Sequence, residues 1–405
     1  MIQIDDFGQA YLRMALEINK HIDGYVDAYL GPPNLKASVE AEDKKPPQAL
    51  LDDLAHLREI LPTHDPARHA YLTAILRAMD CTLRMLNGEE FDYLDQASRL
   101  FDISPRMVNE DKFMEAHKEL DTLLPGSGSL ADRLETWRRQ YEIPKDKLLD
   151  LLELTRSETR QRTRALVDLI EDESVEVALT NGQPWSAYNW FEGAARSRIE
   201  FNTDIPVSAL ELVELFAHEA YPGHHTQHQL QEKHLYRDRG FVELATVILH
   251  SPPCVLIEGA GMTAVEVIFP GDSQYDWTAE VLIPIAGLPD ISGEELRRIV
   301  GGCRKLLFYV GGYPFYVIDN AAIKYHSGEL TEEQTIDYYR TYALVTDEQA
   351  RQTFSLLAHP LYGVYVLIYT RGYELIEQAA HGGDKVPLFK RLLAEEMLPS
   401  QLAIL

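Results

Sequence analysis

Between residues 174 and 201 the period of the chain changes, and that change limits the fold more than any other feature. Ser174-Val175-Glu176-Val177-Ala178-Leu179 alternates in the manner of a half-buried strand, and 186–191 and 196–201 are strand-like, with aromatic and β-branched residues. Asn181-Gly182 marks a turn between the first two. Nearly everything else repeats apolar residues at helical spacing: 5–29, 47–61, 66–87, 110–124, 129–140 and 145–171 before the alternating stretch, and 207–221, 224–236, 240–250 and 255–268 soon after it. Leu50, Leu51, Leu54 and Leu57 form one such stripe. Ser208, three residues ahead of Glu211, has the spacing of a capping box for the helix over 207–221. The expected fold is mainly α (α+β): many helices, with a small antiparallel sheet immediately before a histidine-rich helix.

The 405 residues suit one large domain or a few modest ones, and 45% hydrophobic residues supply a real core. An N-terminal helical part over 1–140 and a second part over 141–405 are expected to pack as one unit, because no Gly/Ser/Pro-rich linker divides them. The net charge of −26 argues against a nucleic-acid groove and an anionic membrane surface, both of which need clustered Lys and Arg. It agrees with solubility through self-repulsion and equally with attraction of cations. Cys81, Cys254 and Cys303 form no close pair, which suits a reducing compartment. The first residues lack a basic and apolar leader, and no uncharged apolar run reaches the ~18 residues of a membrane span. A cytoplasmic protein is expected.

His218, His224, His225, His228 and His234 crowd into one short stretch. In helical zinc hydrolases two histidines at i and i+4 hold the metal, and a glutamate beside the first acts as base. Here His218-Glu219 is followed by Pro222 at i+4. Pro222 has no N–H to return to the His218 carbonyl, and Gly223 tolerates the dihedrals of a distorted turn. The helix is therefore expected to bulge at Tyr221-Pro222-Gly223. Looping out two residues puts His224 in the place of the usual second histidine, and looping out three puts His225 there. The first is favoured, with His225 the alternative. His228 and His234 are expected at the surface or behind the ligands.

A third ligand is needed. Glu258 sits in Leu256-Ile257-Glu258-Gly259-Ala260-Gly261, an apolar stretch whose glycines each cost a helix ~1 kcal/mol against Ala. Close approach of another backbone would justify them, and would deliver Glu258 to a metal; the alternative is a carboxylate used in helix packing. Glu266, two turns on, is an expected acceptor for a ligand N–H.

His218-Glu219-Ala220-Tyr221-Pro222-Gly223-His224-His225-Thr226-Gln227 resembles the H-E-A-Y-P-G-H-H-x-Q signature of the bacterial "domain of unknown function 885" family, which is similar to gluzincin-type helical zinc metallopeptidases. Its second signature, E-G-W-A-L-Y-x-E, is echoed by Glu258-Gly259-Ala260-Gly261 and Glu266, without the Trp and with Glu266 one place late. The segments from Gly24 to Pro33 and from Leu123 to Leu130 also resemble this group. Its C-terminal P-G-Q-A-x-x-Y-x-x-G is matched in part by His359-Pro360-Leu361-Tyr362-Gly363-Val364-Tyr365, where the Gln and its Gly are missing.

The resemblance implies one Zn2+ ion held by His218, His224 and Glu258, with Glu219 as general base and Tyr365 as a second catalytic group. Tyr362, Tyr369, His359 and Arg371 are further candidates to stabilise an oxyanion, and His225 and Gln227 are placed near the ligands. The implied activity is zinc-dependent hydrolysis of peptide bonds. The alternatives are a metal-dependent hydrolase of non-peptide amides or esters, and a non-catalytic protein with a vestigial metal site. The expected partner is a peptide or small amide, with neither nucleic acid nor membrane. The strand over 196–201, just ahead of the metal helix, is a candidate to pair with an extended peptide.

Overall fold

In a computed structural model the chain is described from residue 4 to 404, apart from residues 184, 308, 311 and 312. It is mainly helical with small sheets, the fold class that the periodicity implies. Helix α1 (Asp6–Asn19) is capped by Asp5, whose carboxylate accepts from the Gly8 amide at 2.8 Å. It packs with α2 (Pro47–Glu59) and α3 (Pro66–Leu86) around a core that holds Leu12, Leu50, Leu54, Leu57 and Leu72. Tyr236, Val242 and Ile248 from far downstream complete this core. A larger core joins Phe101, Phe113 and Trp137 to Phe216, Leu256 and Leu367. Residues on both sides of position 140 thus contribute to each core.

The helical pattern over 5–29 ends early. After Asn19 the chain turns into strand β1 (Val26–Tyr29). The expected helix over 240–250 is absent as well: a 3-10 turn at Val242–Ala245 leads into a strand at Thr246–Ile248, which pairs antiparallel with β1. Thr246, Val247 and Ile248 are β-branched, and tertiary pairing decides between two conformations that local pattern leaves close.

Following α4 (Lys145–Arg164) come β2 (Ser174–Thr180), β3 (Ala187–Gly193) and β4 (Arg196–Asn202), near where the alternation predicts strands. The sheet is mixed, which corrects the expected antiparallel arrangement: the order is β2-β4-β3, with β2 parallel to β4 and β3 antiparallel to it. The tight hairpin lies at Ala194-Ala195, both at positive φ, and not at Asn181-Gly182. A two-residue turn with both φ positive matches strand twist, and alanine gives no sequence signal for it. Because β4 is central, both its edges are occupied, and it has none to offer a peptide; β3 is an edge strand.

Ile143 N donates to Val207 O and Ala209 N donates to Tyr141 O, both at 2.9 Å, so the chain stays out of helical conformation as far as Glu211. Helix α5 therefore spans Leu212–Glu219, and Ser208 does not cap it: its hydroxyl accepts from Leu210 N instead. Helix α6 (His224–Gln231) follows and continues as π-helix over Glu232–Arg237. Helix α7 (Pro252–Ile268) is almost wholly buried, and α8 (Leu367–Ala379) crosses it. At the crossing Gly259 meets Gly372: a Cβ on Gly259 would lie 2.6 Å from the Gly372 carbonyl carbon. Among the described residues, no single helix is long and apolar enough to cross a membrane.

Candidate metal centre

The break between α5 and α6 has a defined size. Gly223 N donates to Ala217 O at 2.9 Å and Thr226 N donates to Ala220 O at 3.2 Å, each six residues back. Such bonds enclose two more residues than the helical i→i−4 ring, so the chain re-enters helix with an insertion of two. The Tyr221–Pro222 peptide is cis. Gly223 is fitted tightly into the break: a Cβ there would lie 1.9 Å from the His218 carbonyl oxygen.

This geometry sets His224 beside His218, with ring centroids 4.5 Å apart. From α7, Glu258 Oε2 lies 3.2 Å from His218 Nε2 and 3.7 Å from His224 Nε2. One ligand atom from each of the three residues falls within 4.8 Å of the others. Tetrahedral zinc with ligands at ~2.0–2.2 Å needs its ligand atoms roughly 3.3–3.6 Å apart. Two imidazoles and one carboxylate match the donor set of catalytic zinc sites, and Glu258 Oε2, the carboxylate oxygen that faces both histidines, is buried without a hydrogen-bond partner. These residues fit a zinc ion. Gly261 makes room for the arrangement, since a Cβ on it would lie 2.6 Å from the His218 ring.

Glu219 is buried beside the trio, and Asn189 of β3 donates its side-chain amide to the Glu219 carbonyl oxygen. Burial raises the Glu219 carboxyl to about 7; the Glu258 and Asp27 charges add to this, and His218 opposes it. Burial would also raise Glu258, but the His218 imidazole 3.2 Å away and the nearby His224 and Tyr365 hold it below its usual value. Burial lowers His224 to about 3, helped by the charge on His218, so its imidazole is neutral and able to ligate. The Tyr365 hydroxyl donates to Glu258 Oε1 at 2.7 Å. All of these groups line one cavity of about 280 Å³.

His225, the alternative ligand, points away from this group. It is fully buried, with Nδ1 2.8 Å from Ser197 Oγ and Nε2 3.2 Å from Glu173 Oε2. Glu173 also receives the Tyr221 hydroxyl and the Arg160 guanidinium, and these bonds hold its carboxyl at about 2 despite burial. Gln227 donates to Leu392 O at 3.1 Å and ties α6 to the C-terminal segment. Glu266 is corrected as a partner of the ligands: Arg304, Tyr373 and Lys385 bind it instead. Arg371 sits in a buried cluster with Glu374, 2.7 Å away, and does not line the cavity. Tyr362 and Tyr369 do line it. His228 also lines it, against Phe191, and is kept neutral by burial, which lowers it to about 4. His234 is exposed near Asp238.

Sequence reasoning missed Asp27, Trp185, Tyr188 and Asn189, which line the same cavity. Asp27 lay in the notable segment from Gly24 to Pro33, and Tyr188 and Asn189 lay in the strand-like segment 186–191, but neither pattern marked them as lining a site.

No protein-family model matches this chain, and no curated protein matches it significantly. Its fold resembles that of a solved protein from Colwellia psychrerythraea described as a "putative lipoprotein", with a TM-score of 0.52 and 14% identity over 87% of this chain and 65% of that one. A structure from Shewanella oneidensis with the same description, of unknown function, aligns at a TM-score of 0.49 and 14% identity over 88% of this chain and 70% of that one. At such identity the first likeness is one of fold alone, and the chain spans under two thirds of that protein's length.

Proposed function

We propose that this chain is a zinc-dependent hydrolase that cleaves peptide bonds, a helical metallopeptidase related to the "domain of unknown function 885" family. The observation that carries the proposal is the convergence of His218, His224 and Glu258 beside Glu219 on one cavity. A zinc ion held by the three would supply a Lewis acid and acidify a water toward a pKa of ~7. Glu219, buried on the same cavity next to His218, would serve as general base toward an attacking water and pass the proton to the leaving amine. Tyr365 positions Glu258 by donating to the oxygen that faces away from the histidines. Edge strand β3, which contributes Ala187, Tyr188 and Asn189 to the wall, offers an extended substrate a backbone to pair with. The cavity's described lining contains no Lys or Arg, which disfavours nucleic acids and acidic peptides. We place the protein in the cytoplasm on its three buried, unpaired cysteines.

Glu219→Gln tests this directly. The variant should bind zinc like the parent and lose peptide hydrolysis by about 100-fold or more, the scale of a removed general base. Hydrolysis that survives the change at full rate would remove Glu219 from the role.

A further inference from the structure

The cavity carries one carboxylate that the proposed chemistry leaves unused. Asp27 lies in β1 where the pairing slips: Val26 faces Ile248 and Ala28 faces Val247, so Asp27 is the extra residue of a β-bulge. Bulges re-aim a side chain that strand alternation would otherwise send elsewhere. Here the Asp27 carboxylate lines the same cavity as Glu219 and Glu258 and interacts electrostatically with both. Its Oδ1 accepts from the Tyr188 hydroxyl. Among the described residues, no cationic side chain pairs with it.

Burial, with the Glu258 charge adding to it, raises the Asp27 carboxyl to about 7. A carboxyl so raised gains strongly from any cation brought beside it. A dication held by the His218 group would offset Glu258 and Glu219 and leave Asp27 as the uncompensated negative charge. Aromatic rings stand in the same cavity: Trp185 and Tyr188 have centroids 5.4 Å apart, and Tyr362, electrostatically coupled to Asp27, is in the wall. Ring faces and a carboxylate together are the usual chemistry for holding an ammonium ion.

We propose that Asp27, with Trp185, Tyr188 and Tyr362, forms a subsite for a primary ammonium group, so that the favoured substrates carry a free amine close to the cleaved bond. As a statement about substrate, this rests on the hydrolase reading. The subsite itself is measured by binding alone. Either an α-amino group or a lysine side chain supplies the required chemistry.

The test uses zinc-loaded Glu219→Gln protein and calorimetric titration with three peptide amides: Leu-Ala-Ala, N-acetyl-Leu-Ala-Ala and N-acetyl-Lys-Ala-Ala. One or both ammonium-bearing peptides should bind about tenfold or more tighter than N-acetyl-Leu-Ala-Ala, and which of them does so identifies the source of the amine. Asp27→Asn, added to the same protein, should abolish that preference and leave the N-acetyl-Leu-Ala-Ala affinity unchanged. Equal binding of all three, binding of none, or a preference that survives Asp27→Asn would overturn the proposal. Hydrolysis of the same peptides by the parent protein is scored separately. Cleavage without amine preference removes the subsite and keeps the hydrolase, whereas amine-selective binding without cleavage removes the hydrolase and keeps the subsite.

Discussion

The amide of Gly223 donates to the carbonyl of Ala217, six residues back, at 2.9 Å. That bond closes the two-residue insertion which brings His224 to His218, and it leaves no space for a side chain. Gly223→Ala would drive a Cβ to 1.9 Å from the His218 carbonyl oxygen. The variant should lose stability by about 1–3 kcal/mol or more, the range for overpacking, and should bind zinc more weakly because His218 must shift. Urea denaturation and zinc titration check this. A variant with parental stability and zinc affinity would show that the bulge is not needed.

Glu173 and His225 hold α6 against the sheet, and their bond has a pH signature. The folded carboxyl lies at about 2 against an ordinary 4.5, so its contribution is present above pH ~4.5 and disappears as the pH falls from there toward ~2. Glu173→Gln should therefore destabilise the metal-free protein near pH 7, with the deficit shrinking steadily below pH ~4.5. Denaturation with a chelator present at each pH measures it. A deficit equal at about pH 7 and about pH 3 would contradict the assignment.

Tyr365→Phe removes the donor to Glu258 Oε1 and little else. Groups that orient a metal ligand in this way typically alter metal affinity or activity by 10–100-fold when removed, which is the loss expected here, with the fold intact. Unchanged zinc affinity and unchanged turnover would make Tyr365 a packing residue only.

Much of the centre was legible because its chemistry is local. Proline at the i+4 position of the histidine pattern, followed by glycine, announces a broken helix, while the choice between two and three looped-out residues stayed open until the bonds from Gly223 to Ala217 and from Thr226 to Ala220 made it two. The glycines after Glu258 were legible as sites of close approach, which Gly372 and the His218 ring provide. What lies between distant segments was not legible. The strands at Val26–Tyr29 and Thr246–Ile248 are too short to show a period, and each forms only because the other is there. Asp27 enters the cavity through an irregularity in that pairing, so no local pattern marks it. Glu266 shares a helix with Glu258, but Arg304 and Lys385, from distant segments, draw its carboxylate into ion pairs. The parallel pairing of β2 with β4 was hidden by an Ala-Ala turn with no residue-type signal.

The central claim is that His218, His224 and Glu258 form a metal centre and that His225 stands outside it. Equilibrium dialysis against zinc, followed by elemental analysis, tests this most directly in the parent protein and in His224→Ala and His225→Ala. The parent and His225→Ala should retain about one zinc per chain, and His224→Ala should retain almost none at the same free zinc. A parent protein that takes up no zinc, or a centre that survives loss of His224 but not of His225, would contradict the account.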